Sequence, residues 1–164
     1  LQMLGTSLED PFLKEGSRSK TNKKIRGIGL LPIRTTFHEN KLTRQISSES
    51  LWPCQSKING FEIHNGQTKL ENTQTLVNIK PIFKDLNLGW YKENKEGGTT
   101  AGTYIHGVFE NDNWRDQYIN LIRKSKNLPI LNKKSIPYKK KRESIIDNLA
   151  NEFDKHLNIT SVLN

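Results

Sequence analysis

The sequence predicts an α/β domain, on the strength of three stretches. Residues 101–106 alternate, with Ala101, Thr103 and Ile105 on one face and Tyr104 and His106 on the other, the period of a strand with one buried side. Gly107 and then Asn111, Asp112 and Asn113 follow, offering a sharp turn and N-cap chemistry for a helix. Residues 58–66 carry a second alternation, Phe61 and Ile63 against Glu62 and His64. Two amphipathic patterns close the chain: Trp114, Tyr118, Leu121 and Ile122 form one apolar stripe, and Ile145, Ile146, Leu149, Phe153 and Leu157 another.

Taken from the amino end, residues 1–9 read as a helix with Leu1, Leu4 and Leu8 on one face, closed by Asp10 and Pro11 because the residue before proline is steered away from α. Residues 14–24 form a charged loop. A first strand is expected within 25–37, where Ile33, Thr35 and Phe37 alternate and Gly27 and Gly29 mark kinks or close approaches. Residues 42–46 are expected to pair back on it as a hairpin, and 47–57 to form a loop holding Trp52, Pro53 and Cys54. Asn65 and Gly66 signal a turn after the strand at 58–66. Shorter strands at 76–83 and 88–91 lead through a polar loop, 92–100, into the strand ending at His106. Pro129 and Pro137 bracket a basic linker, and no internal repeat is present.

A length of 164 residues suffices for one domain with a real core and leaves no room for a second. No apolar run approaches the roughly 20 residues of a membrane span, and no secretory signal is visible. The single cysteine, Cys54, excludes an internal disulfide and suits a reducing cytoplasm, the expected location. A net charge of +9 invites a nucleic-acid partner. The basic residues are divided, however, between Lys20, Lys23, Lys24 and Arg26 in one stretch and Lys133, Lys134, Lys139, Lys140, Lys141 and Arg142 in another, and neither interleaves the aromatic platforms that single-strand binders use. Neither a nucleic-acid nor a membrane partner is expected. The chain begins with Leu1 instead of methionine, so it is expected to be processed or to belong to something longer.

Ligands of open α/β sheets gather at the carboxyl ends of strands, which makes His106 a candidate general base. The competing reading is a histidine that simply completes a hydrogen-bond pattern. Cys54 is a candidate nucleophile by residue type alone. It lies beside Pro53 in a polar loop without the strand-to-helix elbow that exposes and activates such a group, so an incidental cysteine is the expectation. Glu62 and His64 point the same way on one strand, an acceptable geometry for a metal, yet no Cys or Asp cluster accompanies them and no metal is expected.

Four motifs in one order resemble the carboxyl-terminal glutamine amidotransferase domain of the cobyric acid synthase family. The chain opens Leu-Gln-Met-Leu-Gly at 1–5, similar to the second half of that family's elbow, Cys-Gly-Gly-(Leu/Tyr)-Gln-Met-Leu-Gly. Gly-Ile-Gly-Leu-Leu-Pro at 27–32, Gly-Phe-Glu-Ile-His-Asn-Gly at 60–66 and Gly-Thr-Tyr-Ile-His-Gly-Val-Phe at 102–109 resemble its later motifs, and Arg142 with the Asp-Asn-Leu-Ala at 147–150 its closing helix. The resemblance implies a class I glutamine amidotransferase fold, a flavodoxin-like, mostly parallel sheet with flanking helices, truncated at the N-terminus. Residues 1–126 would be the partial amidotransferase domain, lacking the nucleophile, and 127–164 its basic linker and C-terminal helix.

The resemblance also implies the chemistry. His106 would be the base for a cysteine expected three residues before Leu1, Gln2 would help hold the glutamine substrate, and His64 would lie near the glutamine pocket or serve a structural hydrogen bond. A thiolate attacks the carboxamide, ammonia leaves, and water releases glutamate. Many class I relatives carry a glutamate two residues after the histidine; Val108 stands there, so no third triad member is assigned, and Glu110 is not at the matching position. Ammonia would pass to a synthetase domain, outside this chain, that uses ATP and Mg to amidate adenosylcobyrinic acid a,c-diamide in cobalamin biosynthesis. No cofactor is expected in this chain, and the chain alone is expected to be inactive. The alternative is a catalytically silent interaction module derived from an amidotransferase.

Overall fold

The computed structural model describes residues 1–13, 24–71, 78–95, 97–132 and 136–156. The chain begins with a single 3-10 turn, Gln2–Leu4, and continues through β1 (Ser7–Glu9), β2 (Lys24–Arg26), β3 (Ile33–Ser50), β4 (Ser56–Leu70), β5 (Ile79–Pro81), β6 (Gly89–Glu93), β7 (Thr99–Thr103) and β8 (Ile105–His106). The helices α1 (Asp112–Ser125) and α2 (Tyr138–His156) follow. The strands form a mixed sheet in the order β2-β1-β3-β4-β8 and an antiparallel sheet in the order β5-β6-β7.

This is an α/β arrangement with helices, but the sheet is not mostly parallel. Only β1 and β3 run parallel; β1–β2, β3–β4 and β4–β8 are antiparallel. For β3 and β4 the reason lies in the connection: a parallel return needs a crossover of a dozen or more residues, whereas β3 passes to β4 through the short segment 51–55. Those two strands make the long ladder of the molecule, from Ile33 opposite Leu70 to Ser50 opposite Ser56, with a register shift between Phe37 and Leu42.

Several local expectations are corrected. Residues 1–9 are not a helix, because Gly5 is extended and Thr6 N–H donates to the Ile33 carbonyl, which commits the chain to pairing beside β3. A Cβ at Gly5 would stand 2.5 Å from that same oxygen, so only glycine permits the approach. Residues 33–46 are one strand instead of a hairpin, since 38–41 offers neither glycine nor proline to turn on. The loop at 47–57 shrinks to 51–55. Asn65 and Gly66 do not turn; β4 runs on to Leu70. The loop at 14–24 lies outside the described residues except for Lys24, which belongs with Arg26 to β2; the loop at 92–100 is present but shorter, with Lys92, Glu93, Thr99 and Thr100 in β6 and β7 and Asn94 bonded to Gly98 across the turn between them. Residues 72–77, Lys133, Lys134 and Leu157 also lie outside the described residues.

The main core collects Ile46, Ile58, Ile82, Phe83, Leu88, Tyr91, Ile105, Val108 and Trp114, with Trp52 and Tyr118 packed against it. A second cluster, Leu31, Ile33 and Trp90, takes in Leu1 and Leu4. Trp114 is the one buried residue of α1, and its indole N–H reaches the Ser50 hydroxyl and the Trp52 carbonyl, both at 3.0 Å. Tyr118 stacks on it, while Leu121 and Ile122 at the far end of the stripe stay exposed. The predicted stripe of α2 forms on the helix, but Ile145, Ile146, Leu149 and Phe153 are exposed and no residue of α2 is buried. Among the described residues no helix is long and apolar enough to cross a membrane.

Truncating the α1 anchor tests this packing. Trp114→Ala is expected to lower unfolding free energy by about 3–5 kcal/mol, measured by urea denaturation, whereas Leu149→Ala on the exposed side of α2 is expected to change it by about 0.5 kcal/mol or less.

Candidate active site

β8 is two residues long and ends at His106, which lies directly opposite Phe61 of β4. Residues facing one another across an antiparallel pair share a face, and here the two rings stack at 5.0 Å with an interplanar angle of 7°. His106 is exposed, and Phe61 is 43% exposed. Gly107 then adopts φ 76°, the left-handed region that glycine enters at no steric cost. The chain turns there into a 3-10 segment, Val108–Glu110, before α1. Val108 is driven into the core, so the position two residues after the histidine contributes packing and no carboxylate. Glu110 folds back over Gly107, its Cδ 3.5 Å from where a Cβ would stand.

The sequence reading of a strand running unbroken through 101–106 is corrected at Tyr104. The chain leaves the antiparallel sheet after Thr103 and joins the mixed sheet at Ile105. Tyr104 and Ile105, expected on opposite faces, are both buried. The helix start also differs: Asn111 occupies the N-cap position, but its side chain bonds the Asn59 backbone, accepting from N–H and donating to C=O at 2.9 Å each, and thereby ties the α1 entry to β4.

On the other face of β4 lies Glu62, 3% exposed. Arg44 stands directly across in β3 and donates through Nε at 2.7 Å; the Nε2 of His64, two residues along the same face, lies 2.6 Å from the other carboxylate oxygen. Burial works against the charge on Glu62, and the hydrogen bonds from His64 and Arg44 with the guanidinium charge outweigh it, leaving the carboxyl below the usual range. The same contacts raise the Arg44 guanidinium. The His64 ring stacks on Tyr104 at 3.7 Å, and its Nδ1 is buried without a hydrogen-bond partner among the described residues.

Tyr104 is the centre of that face. Its hydroxyl bonds the Thr68 hydroxyl and donates toward the Gly66 carbonyl at 3.2 Å, with the Thr35 hydroxyl and the Gln2 side chain close enough to act on it. Burial raises its phenol above the ordinary value, so it remains a neutral donor. The Gln2 carboxamide lies over Gly66, where a Cβ would come within 2.5 Å of Nε2. Gln2 and His64 are thus brought to one face around Tyr104, and His106 points to the opposite face.

Neither alternative chemistry gathers partners. The Cys54 sulfur lies 3.7 Å from the Ser56 hydroxyl and 3.8 Å from the Asn113 amide. Among the described residues no three His, Cys, Asp or Glu side chains converge as metal ligands. An open groove of about 370 Å³ runs beside His64, lined by His38, Asn40, Leu42 and Gln67. A larger cleft of about 690 Å³ lies between α1 and the linker to α2 and includes no residue of this site. Sequence reasoning missed Tyr104 and Arg44. Arg44 was open to detection through the ladder, since a five-residue connection between Ser50 and Ser56 sets it opposite Glu62; the bend at Tyr104 carries no local signal.

Residues 1–114 match the CobB/CobQ-like glutamine amidotransferase domain family. The whole chain is 82% identical to a cobyric acid synthase of Prochlorococcus marinus strain AS9601 and 77% identical to that of strain MIT 9312, covering 32% of each relative. It is 41% identical to a cobyric acid synthase of Synechococcus sp. strain CC9311, all of the chain matching 33% of that relative. The chain therefore spans about a third of the length of these relatives.

The Glu62 cluster sets an acid limit on stability. With its folded pKa depressed, Glu62 contributes stability that is fully present above the unfolded value near 4.3 and is lost as pH falls through the folded value. Glu62→Gln is expected to cost about 1–3 kcal/mol at neutral pH, and in urea titrations from about pH 3 to pH 7 the variant should lose less stability on acidification than the parent.

Proposed function

The chain belongs to the CobB/CobQ-like glutamine amidotransferase domain family, and from that premise we propose that it is the glutamine-hydrolysing part of a cobyric acid synthase. The observation that carries the reading is the strand-end His106 with its left-handed Gly107, standing in the family's histidine motif. In this reading His106 takes the proton of a cysteine thiol, the thiolate attacks the glutamine carboxamide, and the protonated imidazole returns its proton to the leaving ammonia. Water then attacks the thioester, and glutamate is released. Backbone N–H groups at the elbow hold the oxyanion, and Gln2 and His64 serve the glutamine side of the site.

The family wording puts that cysteine three residues before the position of Leu1. The placement of Leu1 supports the assignment. Its Cα lies 3.2 Å from where a Cβ of Gly102 would stand, and Gly102 precedes His106 by only four residues. We propose further that the sheet is part of the flavodoxin-like class I sheet, and that ammonia passes to a synthetase domain where ATP and Mg activate the carboxylates of adenosylcobyrinic acid a,c-diamide. No residue of this chain is assigned to ATP or Mg.

The test is His106→Ala in the protein as its source organism makes it. Glutamine-dependent amidation and glutamate release are expected to fall by about 10²–10⁴-fold, while amidation supplied with ammonium salts persists at the parental rate. Glutamate release unchanged in the variant removes His106 from the reaction.

A further inference from the structure

We propose that Tyr104 is a positioning residue for glutamine binding: its hydroxyl holds the Gln2 carboxamide in place and so couples the turn at 2–4 to the strand that ends at His106. The inference rests on the reading that Gln2 contacts the glutamine substrate.

The first observation is the excess of polar contact on a buried phenol. Tyr104 is 8% exposed and its ring packs flat on His64, so a phenylalanine would fill the same space. The hydroxyl is nonetheless bonded to Thr68 and to the Gly66 carbonyl on β4, and the Gln2 carboxamide of the opening turn lies over that same Gly66, beside the phenol. Thr35 and Thr68 also bond each other at 2.7 Å, so those two hydroxyls stay partnered without the phenol. What the phenol adds beyond that pair is at Gly66, where the Gln2 carboxamide of the opening turn lies.

The second observation is that the chain is fixed on both sides of this residue. Tyr104 N–H donates to the Leu88 carbonyl at 2.9 Å, and Ile105 N–H donates to the Thr103 hydroxyl at 2.9 Å. The phenol is therefore a short, rigid strut rooted two residues before His106. At its other end Gly66 leaves the space that the Gln2 carboxamide occupies. The backbone of the turn is independently laced down, with Ile28 N–H on the Met3 carbonyl and Leu31 N–H on the Leu4 carbonyl, so loss of the phenol hydroxyl frees the Gln2 side chain without releasing the turn.

The experiment is a double-mutant cycle in the native protein, with glutaminase kcat and KM measured for the parent, Tyr104→Phe, Gln2→Ala and the double variant. Tyr104→Phe is expected to raise KM for glutamine by about 3–10-fold, the worth of one hydrogen bond, with kcat within about two-fold, as loss of uniform binding requires. In the Gln2→Ala background the same change should have no further effect on KM. An equal KM effect in both backgrounds, an unchanged KM in Tyr104→Phe, or failure of Tyr104→Phe to fold each overturns the proposal, the last by assigning the hydroxyl to the core. A parent enzyme that hydrolyses no glutamine overturns the functional reading and this inference with it, whereas an active parent with independent effects overturns the inference alone.

Discussion

A carboxylate withdrawn from water in the middle of β4 is the constraint around which this sheet is arranged. Burying an unpaired charge costs more than a small domain's net stability can absorb, so Glu62 requires partners on the same face. The antiparallel ladder supplies Arg44 directly across and the strand's own two-residue period supplies His64. A one-residue slip of β3 against β4 would send Arg44 to the other face and leave the charge alone. The ion pair thus fixes the register of a ladder that would otherwise be held through mixed, largely polar strands. Arg44 reaches its partner with its own side chain half exposed, which leaves part of the guanidinium hydrated while Glu62 is dry.

The motif segments were legible in the sequence because their physics is local. The alternation at 58–66, the glycine after His106 and the Trp114–Tyr118 stripe each specify a strand, a left-handed turn or a helix face within a few residues. What failed was whatever long-range pairing decides. Residues 1–9 carry helical spacing of leucines, yet the backbone donors after Gly5 find β3, and the intrinsic preference yields. The predicted hairpin at 42–46 is the second half of one long strand because its partner, β4, is itself long enough to accept all of it. The described strands do not form the mostly parallel sheet implied by family likeness: β3 and β4 are joined only by residues 51–55 and so run antiparallel, and β8 returns antiparallel beside β4 after a much longer connection. Of the residues singled out in the sequence, Gln2 and His64 share one face and His106 lies on the other, whereas Tyr104 looked like an ordinary alternating residue. Its role emerges only where the chain changes sheets.

Tyr104 marks that change because two backbone demands meet there. The β7 strand ends at Thr103 with its partners in β6, and Ile105 must reach β4, so one residue between them lies outside both ladders. A buried residue in that position has to satisfy its own backbone elsewhere, which the Leu88 carbonyl does. Once the bend exists, the side chain is aimed across the face of β4 over His64, and a phenol is long enough to place a hydroxyl on Gly66 and Thr68. The carbonyl at 66 receives the phenol, and the absence of a Cβ there makes room for the carboxamide of Gln2 lying above it.

The same bend explains why the predicted site residues lie on two faces of one strand. His106 follows the in-register pairing with Phe61, and Glu62, His64 and the Gln2 contact follow the alternate positions. Faces of a sheet communicate at an edge, and β8 provides one: it covers β4 only at Phe61 and Glu62, and from Ile63 onward the strand is bordered on that side by the Tyr104 side chain. At the end of β8 Gly107 turns the backbone away and leaves the imidazole of His106 exposed. The stack on Phe61 sets the plane of that imidazole, while Tyr104 keeps to the other face with His64 and Thr68. Geometry at a strand end, more than any single residue, thus decides what can approach the imidazole.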